Sequence, residues 1–543
     1  MSMSVGPVAT LEKTLSDVAN MDLLAEEVRR ACGQPVNVLQ IAALLESAGV
    51  TEAVARQRYQ HASVFALAEQ VARLMLRMDG APVARRQVVA LPQERSLETV
   101  KDYMRGPLAL LPIVLLSLTI MAYQGFEQWR PGQVLALSIA MIGSLLVTSG
   151  FVQAFARKGS SYLSQGYVRA AQRVVNMIIG VAVVVVIFTA GLFAVLLRWS
   201  GWLSPDDIGL MAVSYVALSL LWLASGVLSL LKQAHWFGGA LAAGLGLSYL
   251  CLRGLASTPF PRPMIMLLAV IMGMTGTLMV VVLVVRGALS REAVAADAGN
   301  RPIILAPAAQ LVVGLVPYFG YGVLYIVFIL SGHVGGWLGA FRTAARPMEA
   351  VGTVEMGLTV AVGGFILASG VAERTMRRFW ERVQVYQTKT VQTRPDGFGR
   401  MVREFFLEEQ SYFLAALVFC SFVVAIGLLV LLLLFLASGM TALPWSNQAT
   451  VVFVIGLVGY GMMAAGLFSC MFMITLSQPW AASSAVVSGI AVAVVTGLAF
   501  SNVLPYQYAT LNVVAGGLAL MLISRKRLWR ILKDADYFYY TSF

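Results

Sequence analysis

Charge is what this sequence has least of. Only 12% of its 543 residues are Asp, Glu, Lys or Arg, while 59% are hydrophobic, against about 25% charged in ordinary soluble proteins. That balance excludes a soluble globular protein and puts most of the chain in lipid. Histidine is scarcer still: His61, His235 and His333 stand without obvious partners. The four cysteines, Cys32, Cys251, Cys420 and Cys470, are far apart and form no CxxC or His-paired spacing, so they read as packing residues. No Walker A pattern, HExxH or GxSxG occurs. An ATPase, a hydrolase, a metal centre and a cofactor are all unexpected, and the chain reads as a non-enzyme.

What is present is a series of apolar runs. A helix needs about 20 mostly apolar residues to cross the hydrocarbon core of a bilayer. Runs of that kind cover Pro107 to Tyr123, Val134 to Phe155, Met177 to Leu197, Ile208 to Leu231, Trp236 to Leu252 and Met264 to Val285. A second set covers Ile303 to Leu330, Ala350 to Val371, Phe413 to Ala437, Thr450 to Leu476, Ala481 to Ser501 and Pro505 to Ser524. They are continuously apolar, without the period-two alternation of a membrane strand. The expected fold is all-α and polytopic, with about twelve spans in two six-helix lobes, residues 107–285 and 303–524.

Lys and Arg set the orientation, because positively charged loops stay in the cytoplasm. Alternate loops hold Arg157, Lys158, Arg169 and Arg173, then Lys232, then Arg286, Arg291 and Arg301. The loop after the eighth run adds Arg374, Arg377, Arg378, Arg382, Lys389, Arg394, Arg400 and Arg403, and the end of the chain adds Arg525, Lys526, Arg527, Arg530 and Lys533. The opposite loops hold only Arg130, Arg198, Arg253, Arg262, Arg342 and Arg346. A multi-pass inner-membrane protein with both termini cytoplasmic follows. The net charge of +12 is this bias, and no nucleic-acid partner is expected. No signal peptide is expected either, since a long polar segment precedes the first run.

Residues 1–80 read as a small cytoplasmic helical domain. Its candidate helices are Leu11 to Cys32, Val36 to Ser47, Thr51 to Tyr59 and Ser63 to Met78, with Thr51 an N-cap and Ser63 opening a second capped run. Residues 81–106 form a basic linker near anionic headgroups, and 525–543 a basic cytoplasmic tail. The loop 372–412 contains an amphipathic piece whose Met376, Phe379, Trp380 and Val383 share one face. Such a helix can lie along the membrane interface.

An ionisable residue inside a span costs about 2.5 to 3.5 kcal/mol on translocon scales, so it marks a functional candidate. Glu355 is the foremost. It follows an outer-side charged cluster of Arg342, Arg346 and Glu349, and either faces a substrate or coupling-ion cavity or pairs with Arg346. The seventh run carries Gln310, Tyr318, Tyr321 and Tyr325, interrupted by Pro307 and Pro317. Its tyrosines share one helix face, and hydroxyl-bearing rings suit sugars. Gln153 and Tyr215 are the cavity candidates of the first lobe. Arg157 and Lys158 read first as topology signals. Glu127 with Arg130, and the pair Asp206 and Asp207, are the acidic groups that a membrane-embedded enzyme would need.

Three stretches carry a family resemblance: Ser149-Gly-Phe-Val-Gln-Ala-Phe-Ala-Arg157, the segment from Glu373 to Trp380, and Trp529-Arg-Ile-Leu-Lys-Asp-Ala-Asp-Tyr-Phe-Tyr539. Together with twelve spans, a kinked seventh run and no nucleotide motif, residues 100–543 resemble the polysaccharide-flippase branch of the MOP exporter superfamily. Within that branch they look most like the exporter subunits of Pel-type exopolysaccharide systems (PelG). The resemblance implies two lobes around a cavity that opens alternately to each side and exports a polysaccharide or lipid-linked oligosaccharide. It also implies a cytoplasmic glycosyltransferase and accessory membrane subunits as partners, besides membrane lipids. The alternatives are an ion-coupled small-molecule exporter of the same fold, and an enzyme or scaffold subunit of a polysaccharide-synthesis complex.

Overall fold

Long apolar runs have one way to satisfy their backbone in lipid, the α-helix. The computed structural model describes residues 21–32, 38–47, 49–78, 103, 131–164, 168–201, 203–231, 233–255, 257–260, 262–296, 308–389, 397–437 and 445–540. Among the described residues there are helices and turns and no strand, and eleven helices are long and apolar enough to cross a membrane. The first expected run, Pro107 to Tyr123, lies outside the described residues.

The chain divides into two compact units, Met1–Ser96 with Met376–Met401, and Leu97–Thr375 with Val402–Phe543. In the first, α1 (Met21–Cys32), α2 (Val38–Ser47), α3 (Glu52–Gln57) and α4 (Val64–Met78) close around Leu24, Ile41, Leu45, Val64, Leu67 and Val71. Their ends follow the expected signals. Thr51 accepts a hydrogen bond from the Val54 amide at the start of α3, and Ser63 from the Ala66 amide at the start of α4. Gly49, at φ +82°, ends α2 in a left-handed turn that Gly adopts without strain.

The second unit holds the spans. Lobe 1 contains α5 (Pro131–Ser164), α6 (Val168–Ser200), α7 (Pro205–Leu230), α8 (His235–Leu255) and α9 (Arg262–Ala296). Its α5 packs on α7 and its α8 on α9, around a core that includes Phe155, Tyr215, Trp222 and Phe237. Lobe 2 contains α10 (Ala308–Thr343), α11 (Pro347–Lys389), α12 (Gly397–Ala437), α13 (Asn447–Thr475) and α14 (Pro479–Val503). The short α15 (Tyr506–Ala509) and then α16 (Leu511–Lys533) and α17 (Ala535–Tyr540) complete it. Here α13 packs on α16 and α10 on α14. Phe406, Phe413, Phe468 and Phe472 join α12 to α13, with ring centroids 4.4 to 6.2 Å apart.

Several helices outrun the membrane. The 43 residues of α11 span about 65 Å, twice the hydrocarbon thickness of about 30 Å. Of the loop expected over 372–412, residues up to Lys389 continue α11 and residues from Gly397 begin α12, while 390–396 lie outside the described residues. Phe379 and Val383 are buried in protein, rather than lying on a separate surface helix. The expected tail likewise continues α16 through Arg525, Lys526, Arg527 and Arg530. Arg157, Arg374 and Arg403 with these residues mark one end of the bundle, the basic end. Arg198, Arg253, Arg342 and Arg346 mark the far end.

Candidate functional site

Two helices approach closely only where side chains are small, and the two lobes meet at such a place. In α5, Gly150 lies under the ring of Phe319 of α10. Opposite it, a Cβ on Gly322 would come within 2.6 Å of the Ser149 carbonyl oxygen and 2.9 Å of the Gln153 side chain. Phe151 and Phe319 add an edge-to-face pair with centroids 5.0 Å apart. The residues involved lie in the half of each helix nearer the basic end. A second contact repeats the pattern: the Tyr103 hydroxyl, just before the first run, donates to the Leu367 carbonyl of α11 at 2.9 Å, and Tyr103 touches Gly370.

Arg157 fastens this seam. Its guanidinium donates to Ser477 Oγ at 2.6 Å and lies 5.3 Å from the centre of the Tyr318 ring, so one lobe 1 side chain holds two elements of lobe 2. Ser477 occupies the turn between α13 and α14 at φ +57°. The Ser477 amide bonds to the Ile474 carbonyl and the Gln478 amide to that of Met473. That is a Schellman ending, whose left-handed position usually belongs to Gly. A serine there is strained, and its hydroxyl is the group that Arg157 holds.

The second cluster lies inside lobe 2, in the halves of α10, α11 and α13 nearer the far end. Glu355 Oε1 accepts from Trp337 Nε1 at 2.6 Å and lies 2.8 Å from His333 Nδ1. On the other edge of the imidazole, Nε2 is 3.3 Å from the Tyr460 hydroxyl. Beside it, Asn512 of α16 donates to the Ser331 carbonyl at 2.9 Å. This joins a carboxylate, an imidazole, an indole and a phenol among apolar helices.

Of the expected site residues, Glu355 is partnered, though not by Arg346, which pairs with Glu349 at 3.0 Å. Arg342 goes elsewhere again, to Ser501 Oγ and Asn502 Oδ1 of α14, so the three do not form one cluster. Tyr318 and Gln153 sit at the seam. Tyr321 and Tyr325 stack on each other, centroids 6.2 Å apart. Tyr215 lies in the closed core of lobe 1 with no exposure, its hydroxyl 2.6 Å from Thr189 Oγ1 and its ring edge-on to Phe193. It packs that lobe rather than facing a cavity. The side chain of Gln310, and Glu127 and Arg130, lie outside the described residues. Asp207 is turned onto Ser204 at the start of α7, where the two side chains and the Asp207 amide close the helix cap.

Four residues of these two clusters escaped the sequence reading: His333, Trp337, Tyr460 and Ser477. Only His333 had a signal. It and Trp337 lie one turn apart on α10, a spacing that brings both side chains to a carboxylate on the neighbouring helix.

Residues 104–320, about two-fifths of the chain, match the PelG family, whose description is exopolysaccharide exporter (EPS-E). Among solved structures, the fold is similar to an outward-facing multidrug-resistance MATE family transporter of the MOP superfamily. The TM-score is 0.54 at 13% identity, over 80% of this chain and 96% of that one. A MOP superfamily transporter from Pyrococcus furiosus gives a TM-score of 0.55 at 12% identity over 80% and 96%. A variant of the Vibrio cholerae MATE transporter VcmN gives 0.54 at 13% over 81% and 97%. At such identities the likeness is one of fold. No curated protein matches the chain.

Proposed function

We propose that this chain, PelG-like over residues 104–320 and folded like the MOP-superfamily transporters, exports an exopolysaccharide across the bacterial inner membrane by alternating access. The basic end faces the cytoplasm, as the Lys and Arg bias requires, and both termini lie on that side. A cytoplasmic glycosyltransferase with accessory membrane subunits supplies the polymer. No covalent chemistry is needed from this chain: rocking of one lobe against the other moves the substrate site from side to side.

The observation that carries this reading is the seam. Two lobes of similar build touch through Gly150 and Gly322, Phe151 and Phe319, and one arginine, all toward the basic end. Such a junction opens by parting a few contacts, with no helix core disrupted. Beside it, Tyr318 and Tyr325 bring hydroxyl-bearing rings suited to sugars, with Tyr321 buried beneath them and stacked on Tyr325.

The test is polymer secretion in a deletion strain complemented with the wild-type chain, Tyr321→Ala or Gly322→Leu. Surface polymer lost while precursor accumulates inside, at normal protein level, supports export through this seam. Unchanged secretion in the deletion strain overturns the reading and turns the search to small-molecule substrates.

A further inference from the structure

Two neighbouring helices of lobe 2 change character together at the basic end. The exposed side of α16 runs through Leu518 and Leu522, then through Lys526, Arg530 and Lys533. Positions 518, 522, 526, 530 and 533 recur at helical spacing, so one face is apolar at first and cationic over its last two turns. Beside it α14 runs the opposite way, since Gly489 meets Leu520 and Ala481 meets Arg527. Its exposed side passes from Leu498 through Val494 and Val487 to Trp480, which is 66% exposed and follows the Pro479 that opens the helix. An apolar surface that gives way to cations beside an exposed Trp marks the level where hydrocarbon meets headgroups.

The protein does not neutralise the cations at this level. Among the described residues no carboxylate pairs with Arg525, Lys526, Arg527, Arg530 or Lys533, the adjacent Asp534 included. Arg527 spends its donors on neutral oxygens of α14, the Ala481 carbonyl at 3.1 Å and Ser484 Oγ. It is thereby set against the first turn of α14, which holds no acidic residue and is the positive end of that helix's dipole. Lys526 and Arg530 stand four residues apart, a spacing at which like charges repel. The dipole of α16 favours Arg530 and Lys533 in its last turn, and the topological bias favours a basic end in general. Neither requires the charges to gather where two lipid-facing helices meet. A phosphate offsets the excess, and acyl chains attached to it lie along the apolar parts of the same two faces.

We infer that the basic end of α14 and α16 is a binding site for an anionic phospholipid of the adjoining leaflet. Its phosphate is held by Lys526, Arg527 and Arg530, with Trp480 beside the glycerol and the acyl chains along Leu522, Leu518 and Val487. A free phosphate would use the same cations and none of the apolar surface. The site is independent of what the chain exports.

Native mass spectrometry of the full chain in neutral detergent tests it, with phosphatidylglycerol and phosphatidylcholine of identical acyl chains as probes. Phosphatidylglycerol is expected to bind about tenfold more tightly, because its headgroup leaves the phosphate charge uncompensated. An exposed cation facing such a charge contributes about fivefold, so Lys526→Gln combined with Arg530→Gln should weaken phosphatidylglycerol about twentyfold. Arg198→Gln combined with Arg253→Gln removes the same charge from exposed positions at the far end and should leave that affinity unchanged. Bound lipid should also raise the thermal midpoint of the parent protein and not that of the Lys526, Arg530 variant, whose midpoint without lipid shows that it is folded. Equal binding of the two lipids, or equal losses in the two double variants, overturns the site. Complete displacement of phosphatidylglycerol by excess inorganic phosphate overturns the lipid assignment in favour of a free anion, and retention of the lipid under that excess supports it.

Discussion

The two lobes have one architecture and two chemistries. In lobe 1 the polar groups between helices are neutral and spent on one another: Trp222 donates to Ser144, Thr148 to the Ser144 carbonyl, and Tyr215 meets Thr189. Among the described residues its charges lie toward the two ends of the bundle. Lobe 2 places a carboxylate and an imidazole well inside the bundle, and spends an indole and a phenol to hold them. The difference teaches that repeat-like lobes need not share the work. A neutral network fixes one packing, because each of its bonds has a single satisfied arrangement, whereas an ionisable pair offers two.

The largest expected effect comes from joining the lobes wrongly. Gly322→Leu forces a side chain against the Ser149 carbonyl, an overpacking cost of about 1–3 kcal/mol that falls on the seam alone. Secretion should be lost at normal protein level, and a variant that secretes like the wild type would show that the seam never has to re-form. Next comes the contrast between lobes. Glu355→Gln should lower surface polymer at least tenfold with the thermal midpoint nearly unchanged. Tyr215→Phe in lobe 1 gives up one neutral hydrogen bond, about 1 kcal/mol, and should leave secretion intact. Equal secretion from these two variants would erase the distinction between the lobes.

A smaller effect sharpens the role of Arg157. Ser477→Gly relieves a left-handed serine, a gain of roughly 1 kcal/mol, yet removes the hydroxyl held by Arg157. A slightly higher melting temperature with severalfold less export is expected. Ser477→Asn tolerates the same backbone and keeps an acceptor, so it should export normally. If Ser477→Gly also exports normally, the contact is only a helix cap. The smallest effect lies outside the membrane unit. Thr51→Ala removes the cap of α3, worth about 1 kcal/mol. Faster amide exchange in residues 52–57 of the full chain is expected, with no change in the spans.

Much of the fold was legible because its signals are local. Eleven of the twelve expected spans appear as helices, and in the N-terminal unit Val38–Ser47 and Val64–Met78 fall within two residues of their expected bounds, closed by the caps expected at Thr51 and Ser63. Of the candidate residues, Glu355 stands out in the sequence as a carboxylate in an apolar run, and the structure supplies its partners; the burial of Tyr215 in the core of lobe 1 is not legible there, because helices apolar on all sides give little moment from which to tell one face from another.

The sequence by itself determined that the chain crosses the membrane many times, where the apolar part of each described span lies and which end of the bundle is basic. Composition, run length and charge are properties of each segment, readable without its neighbours. Tertiary structure decided that Glu355 meets His333 and Trp337 rather than Arg346, that Tyr460 closes the imidazole's other edge, and that Arg157 reaches across to Ser477, 320 residues away in sequence. Those pairings depend on which faces of which helices are brought together, and in a membrane that is settled by close packing of small residues, which no single apolar segment encodes.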